Sequence, residues 1–590
     1  MQKEFLPPQL DLMRNAIDMD LIPYSDRGSR VMIFRDADNR FLIRLAERLA
    51  RIDPGIEAYL KRPPFIDQLA IIDKNEAQLP YVLTWNPYGV RLETIAGDFY
   101  LLIDSSDRLV IGIPDGVQAG VRLRCNTGYY RETFQNGSQI PVRELSWRVK
   151  GSIFSQKSWQ EDDSQWMEVL LLKGTDSAIA LTIGEEHDNE DIPILSAATL
   201  LEDNQRRWQD WFARVPAVDS RFARPYTYAC WNMANNLISP KGNVLFEAMM
   251  PSKVKYVGLW LWDCAMHAVA FRHIDPELAR KQIRAMLVWQ LEDGMLPDAI
   301  FDDGIVSEID FPIHAKVTKP PILAWAAWKI HEVAPDLEFI REIYPQLVRE
   351  NHWWFNENDD DRDGIVQYSH PYSSGLDDNP LWDYGMPVES PDLNTYLCLQ
   401  MNALAKMAEE LGLDDEAKDW QQRSIILVDR MIEHLWDEKA GVFQFLHDHK
   451  TVPVLTPFNL FPLWTGILPD RICKRLVEHL RDPKEFWGNY CLPTVAYNDR
   501  HFDEDTMWRG PVWTNINYFM IEALQKNGEL DLARELRKKT LQMILEQGGM
   551  YEYYNARTGE PPVKAARVFG WTAAVFIDLA IQESQDPEHD

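Results

Sequence analysis

Two stretches of this 590-residue chain set carboxylic acids among aromatic rings rather than on a plain polar surface. The first runs His370-Pro-Tyr-Ser-Ser-Gly-Leu-Asp-Asp-Asn-Pro-Leu-Trp-Asp383 and holds three aspartates with Trp382 in one loop. A general acid must stay protonated near neutral pH, which requires burial or a neighbouring negative charge. Such a loop offers both, although an exposed acidic turn would read the same way. The second is Met550-Tyr-Glu-Tyr-Tyr-Asn-Ala-Arg-Thr-Gly559, where Glu552 sits among three tyrosines. A general base needs a fixed, hydrogen-bonded carboxylate able to hold a water, and tyrosine hydroxyls are suitable partners for one.

Five further segments could shape a pocket around such acids. Gly258-Leu-Trp-Leu-Trp-Asp-Cys-Ala-Met-His267 places Trp262 beside Asp263, a flat apolar face next to a carboxylate. A sugar ring, with its C–H faces and fringe of hydroxyls, needs that pair; a helix cap with core tryptophans is the structural alternative. Trp289-Gln-Leu-Glu-Asp-Gly-Met-Leu-Pro297 and Thr318-Lys-Pro-Pro321 bring Gln290 and Lys319 to junctions of helix and loop. Met507-Trp-Arg-Gly-Pro-Val-Trp-Thr-Asn-Ile-Asn-Tyr518 puts Arg509 beside Trp508, where a planar guanidinium can clamp hydroxyls or a carboxylate. Phe569-Gly-Trp-Thr-Ala-Ala574 opens a last helix with Trp571.

The elements that must carry these residues change character along the chain. Up to about residue 190, short β-type runs (30–34, 99–103, 109–113, 121–125, 166–172, 178–183) alternate with turn formers such as Asp-Ser-Ser-Asp at 104–107 and Pro-Asp-Gly at 114–116. This spacing predicts an antiparallel β-sandwich over 1–190. A helical linker is expected over 191–220. From 221 to 590 apolar residues recur three and four apart, as in Leu393, Tyr396, Leu397, Met401, Leu404, Met407 and Leu411. Helices are expected near 222–238, 262–273, 277–291, 320–333, 338–355, 393–411, 415–436, 470–480, 511–526, 530–546 and 567–582. Their connecting loops hold tryptophan and acids, which suggests paired helices in a toroid around a sugar-sized funnel. No fixed repeat period marks a solenoid.

Together these seven segments resemble glycoside hydrolase family 63, which includes processing α-glucosidase and bacterial hydrolases of mannosylglycerate and glucosylglycerate, in a clan with trehalases. The ordered motifs are Trp-x-Trp-Asp, Gln-x-x-Asp-Gly-Met, Pro-Pro, Ser-Gly-x-Asp, Trp-Arg-Gly-Pro-x-Trp, Glu-x-Tyr and Trp-Thr-Ala-Ala. The resemblance implies a multidomain chain whose β-sandwich precedes an all-α (α/α)6 barrel, and an inverting α-glycoside hydrolase. It implies Asp377 as general acid and Glu552 as general base. It places Trp262, Asp263, Gln290, Trp382, Asp383, Trp508, Arg509 and Trp571 on the sugar pocket. Lys319 and Arg509 are the basic residues available to a glycerate carboxylate. Ser373 stands where the family has glutamate, and Asn555-Ala556 replaces Asn-Pro.

Charge narrows the partners. With 91 acidic against 61 basic residues the formal net charge is -30, which disfavours nucleic acid and anionic membranes and leaves small neutral carbohydrates as substrates. The six cysteines form no CxxC pair, and no apolar run reaches the ~20 residues of a membrane span. A cytoplasmic location is expected, and the oligomeric state is left open. A phosphorylase would replace the base with a phosphate-binding cluster; a non-catalytic carbohydrate-binding protein would need the tryptophans without both acids. No cofactor is required by this reading. Asp359-Asp-Asp-Arg-Asp-Gly364 resembles the first half of a calcium loop through Asp359, Asp361 and Asp363, but His370 stands at the closing position.

Overall fold

The computed structural model describes residues 8–184 and 193–586. It divides into two units: Met1–Val215 with Cys230–Ser239 and Ser252–Val257, and Pro216–Ala229 with Pro240–Pro251 and Gly258–Asp590.

The first unit carries two six-stranded sheets with antiparallel pairing throughout. One runs Val31–Arg35, Phe41–Leu45, Ile66–Asp73, Ala119–Cys125, Ser164–Leu171, Ile153–Glu161. The other runs Glu144–Lys150, Ser177–Gly184, Arg108–Ile113, Gly97–Ile103, Gly89–Thr94, Val82–Asn86. All six apolar runs read from the sequence are strands. Each turn former does its expected work: Asp-Ser-Ser-Asp joins Ile103 to Arg108, whose Nε donates to Asp104 at 2.8 Å. Gly120 allows the closest backbone approach in the first sheet, because a Cβ there would lie 1.8 Å from the Val169 carbonyl oxygen. The strand Ile153–Glu161 escaped the sequence reading because it is an exposed edge, with no buried side to impose alternation. Within the same unit, helix Ala197–Ala213 is capped by Ser196 and buries Leu200 against Leu102, Val110, Ala178 and Ala180.

In the second unit, six segments contact one another in a closed circuit. Leu261–Ile274 packs on Leu323–Val333, which packs on Pro391–Glu410, then Pro457–Thr465, Thr514–Lys526 and Gly570–Gln585, and the last returns to the first. These segments are apolar nearly all round; in Leu261–Ile274 every residue except His273 is buried. Between them in the chain run amphipathic helices that pack on one or two members of the circuit: Pro276–Leu287, Leu337–Glu357, Asp414–His434, Asp470–Arg481 and Leu530–Gln547. Asp470–Arg481 shows the pattern plainly, burying Ile472, Leu476, Val477 and Leu480 along one stripe. One member of the circuit, Pro457–Thr465, is a 3-10 helix that periodicity did not reveal, because Pro457 and Pro462 leave no 3.6-residue signal. Among the described residues no helix is long and apolar enough to cross a membrane.

A buried polar junction ties three members of the circuit together. Asp578 accepts from Arg272 Nη2 at 2.7 Å and from the Tyr518 hydroxyl at 2.7 Å, and lies 2.6 Å from His273 Nε2. Burial works against its charge, but Arg272 and His273 hold its carboxyl well below the usual range. Replacing Asp578 with alanine leaves Arg272 buried without its counter-ion, so calorimetry is expected to show a loss of about 3 to 5 kcal/mol. A depressed native pKa stabilises above the unfolded value and is lost as pH falls through the native one. The gap between wild type and Asp578→Ala should therefore be full above about pH 4 and narrow below it.

Candidate active site

The site residues come from the starts of the circuit's helices and the loops that lead into them. Trp262 and Asp263 lie in the first turn of Leu261–Ile274, and Lys319 precedes Leu323–Val333. The loop 370–384 precedes Pro391–Glu410, Trp508 and Arg509 precede Thr514–Lys526, and Trp571 opens Gly570–Gln585. Helical periodicity thus sets which ends of the helices face the same space, and the loops bring the chemistry there.

Lys319 is the charge at the centre. It is 5% exposed; its ammonium lies 2.5 Å from Asp298 Oδ1 and donates to the Tyr372 carbonyl at 2.6 Å. Burial opposes its charge, yet Asp298, Asp377 and Asp263 outweigh this and raise its pKa. Asp263 is 6% exposed, and burial pushes it well above the ordinary carboxylate range; Glu552 and Asp298 add to that push while Lys319 opposes it. Asp298 is also raised by burial, with Lys319 and the Trp260 indole restraining it. Asp377, Glu552, Asp263 and Asp298 therefore share one electrostatic neighbourhood with a single buried ammonium. Asp298 was not singled out from the sequence, although it directly follows Pro297 of the Gly-Met-Leu-Pro segment.

The aromatic residues form one contiguous buried cluster next in the chain to Asp263 and Glu552. Trp262 meets Trp571 edge to face at 4.6 Å and Trp508 at 6.1 Å, and Trp508 stacks on Trp513 at 3.7 Å. Trp513 in turn stacks on Tyr553, the neighbour of Glu552, at 5.2 Å. Gly375, at φ +75°, presses on Trp262 so closely that a Cβ would lie 2.1 Å from the indole. This contact fixes the turn two residues before Asp377. Ser373 Oγ accepts the Thr318 N–H at 3.2 Å, joining that turn to the segment that carries Lys319. On its other side the loop is clamped to Trp508, whose N–H donates to Asp378 at 2.9 Å and whose carbonyl accepts from Asn379 at 2.9 Å. Burial raises the pKa of Asp378. Asp377 itself is half-buried, between these two anchors.

Glu552 is 1% exposed, and its Oε2 accepts the Ala566 N–H at 2.8 Å. That backbone donor supplies a fixed bond of the kind expected for it. The hydroxyl of Tyr554 accepts the Tyr551 N–H at 3.2 Å, and Tyr553 spends its ring on Trp513.

Three sequence-derived pocket residues are engaged with protein partners. Gln290 donates to the carbonyls of Gly294 at 2.9 Å and Gln346 at 2.8 Å and accepts from Arg349, so it closes a junction between helices. Arg509 gives its fork to Asp383 at 2.7 and 2.9 Å, which joins two pocket loops and occupies the clamp expected for substrate. Trp382 is half-buried and donates to the Leu376 carbonyl at 2.7 Å, holding the loop around Asp377 from within.

The acidic loop forms a cluster in which carboxylate oxygens of Asp359, Asp361 and Asp363 lie within 4.8 Å of one another. His370, the expected closing position, instead accepts the Tyr372 N–H at 3.0 Å. Glu389 forms a second group with Asp361 and His449, and burial with the charges of Asp363 and Asp361 pushes its pKa up to about 7.

Residues 256–572, more than half of the chain, match the model of the mannosylglycerate hydrolase MGH1-like glycoside hydrolase domain. The chain belongs to this family. It is a glycoside hydrolase. A mannosylglycerate hydrolase of Thermus thermophilus is 26% identical over 408 residues, covering 56% of this chain and 95% of that protein. A glucosylglycerate hydrolase of Mycolicibacterium hassiacum is 23% identical over 430 residues, covering 57% and 95%. Among solved structures, a bacterial glucoamylase complexed with acarbose aligns with 96% of this chain and 97% of its own, at a TM-score of 0.57 and 10% identity, a likeness of fold alone.

For a glycoside hydrolase built around one buried ammonium, Lys319→Met is expected to lower kcat by at least about 10²-fold. Loss of that positive charge raises the pKa of the surrounding carboxylates. The acid limb of the pH–rate profile should accordingly move to higher pH in the variant, which a kcat series across pH will show.

Proposed function

We propose that this glycoside hydrolase cleaves a small α-linked glucoside, mannoside or glycosylglycerate by direct displacement, with Asp377 as general acid and Glu552 as general base. The observation that carries this reading is the chain of charges in which Asp377 acts on Lys319, Lys319 on Asp263 and Glu552 on Asp263, next to the contacting rings of Trp262, Trp508 and Trp571. Tryptophan faces suit sugar C–H surfaces, and Asp263 suits hydroxyls. Asp377 would protonate the glycosidic oxygen while Glu552, held by the Ala566 N–H, draws a proton from water attacking the opposite face. Inversion requires the carboxyls to stand about 6.5 to 9.5 Å apart, enough to admit that water.

The closed circuit of six segments with outer helices supports an (α/α)6 barrel over about 221–590, and the paired sheets support a β-sandwich over about 1–190, joined through 191–220. A cytoplasmic location is supported by six free cysteines, five of them buried. The acidic loop, with Glu389 grouped to it through Asp361, is the candidate calcium position: the four carboxylates are hard oxygen ligands, and their mutual repulsion is what a divalent cation would relieve.

Glycerate conjugates enter the reading because the relatives named above are hydrolases of mannosylglycerate and glucosylglycerate. Initial rates on kojibiose, nigerose, trehalose, mannosylglycerate, glucosylglycerate and soluble starch, with and without phosphate, are expected to favour a small compound and to be independent of phosphate. Phosphate dependence would establish a phosphorylase instead. Asp377→Asn and Glu552→Gln should each fold and lose about 10²- to 10⁴-fold in rate on the best substrate. Retention of more than about a tenth of the wild-type rate by either would remove that residue from its role.

A further inference from the structure

The family match begins at residue 256, so nearly all of the β-rich unit lies outside it. That unit contains a cavity of about 130 Å³ whose lining includes Arg44, Arg62, Lys253, Tyr59 and Tyr130, and no acidic residue. Three cations around one small space are unexpected in a chain whose net charge is -30. Asp53 pairs with Arg62 and Asp26 favours the charge of Lys253, but neither lines the cavity, so an anion seated among the three cations would relieve their mutual repulsion.

Arg62 is the most constrained of the three. It is 4% exposed, its Nε pairs with Asp53 at 3.0 Å, and its Nη1 reaches the Glu47 carbonyl at 3.4 Å. Its Nη2 is buried and has no hydrogen-bond partner. A buried donor left unmade costs about 1 to 3 kcal/mol, and more on a charged group. Arg44 lies beside it and donates Nη1 to the Arg62 carbonyl at 2.6 Å; burial, then the neighbouring Arg62 charge, lowers its pKa. Lys253 is 1% exposed and donates to the Asp26 carbonyl at 2.9 Å and to Ser25 Oγ at 3.2 Å. Burial brings its pKa down to about 7. The Tyr130 hydroxyl is committed to the Pro63 carbonyl at 2.7 Å, so the donors left for a ligand are those of the cations.

We propose that this cavity binds one small anion, a phosphate or a short carboxylate, gripped by the guanidinium groups of Arg44 and Arg62. Guanidinium forks match the oxygens of either group. The cavity approaches the roughly 150 Å³ that accommodates a benzene-sized molecule, which admits phosphate or glycerate. The site lies in a different unit from Asp377 and Glu552 and is independent of their assignment.

Isothermal titration of the full-length protein with inorganic phosphate, and separately with D-glycerate, at fixed ionic strength tests this. At least one of the two is expected to bind saturably, and which one does so identifies the ligand class. Arg44→Met should weaken that binding at least about tenfold. Arg44→Lys, which keeps the charge but not the fork, should fall between and serves if the methionine variant does not fold. Lys319→Met should leave it intact. Absence of saturable binding of both anions would overturn the proposal, as would binding that survives both Arg44 substitutions or vanishes with Lys319→Met.

Discussion

One buried ammonium governs the arrangement of the site. Lys319 contacts Asp298 and the Tyr372 carbonyl, and its charge is felt by Asp263 and Asp377. Burying several carboxyls together is costly unless a cation compensates, and here a single cation serves more acids than it can neutralise. The surplus falls on Asp263, whose pKa rises as burial and the charges of Glu552 and Asp298 act on it together. A carboxyl raised in this way is the kind of group that acid–base hydrolysis of a glycoside draws on.

The precision of this placement comes from the closed circuit of helices. Trp262, Lys319, Trp508 and Trp571 each lie at or just before a helix start in the circuit, and Asp377 lies in the loop leading into Pro391–Glu410, so fixing the helices fixes where these residues begin. Further along the same helices, Asp578 joins Arg272 to Tyr518, and Glu522 accepts from the indoles of Trp325 and Trp464 at 3.1 Å each. These junctions hold adjacent helices in register from inside. The loops are then tied to one another by short bonds, Ser373 to Thr318, Asp378 and Asn379 to Trp508, and Asp383 to Arg509.

Sequence carried what depends on local pattern. Apolar runs with turn formers located six strands, and three-and-four spacing located the α-helices from residue 222 onward but not the 3-10 helix Pro457–Thr465, where two prolines erase the period. The exposed edge Ile153–Glu161 was invisible for lack of a buried side. In the site, the tryptophans and acids stood out by their unusual company. Features that depend on distant partners did not: the Ala566 N–H that fixes Glu552 comes from a residue with no reactive group, and Asp298 matters only because Lys319 folds against it. Gln290 and Arg509 have side chains suited to a sugar, yet Arg349 and Asp383 satisfy them first. Nothing in a linear sequence shows that competition.

The account stands on water, activated by Glu552, attacking opposite the bond that Asp377 protonates. Proton magnetic resonance of a fresh digest of the best α-glycoside reads this directly, by following which anomer of the released sugar accumulates before mutarotation. The account predicts the β-anomer first. The α-anomer first would mean a covalent enzyme intermediate and would contradict it.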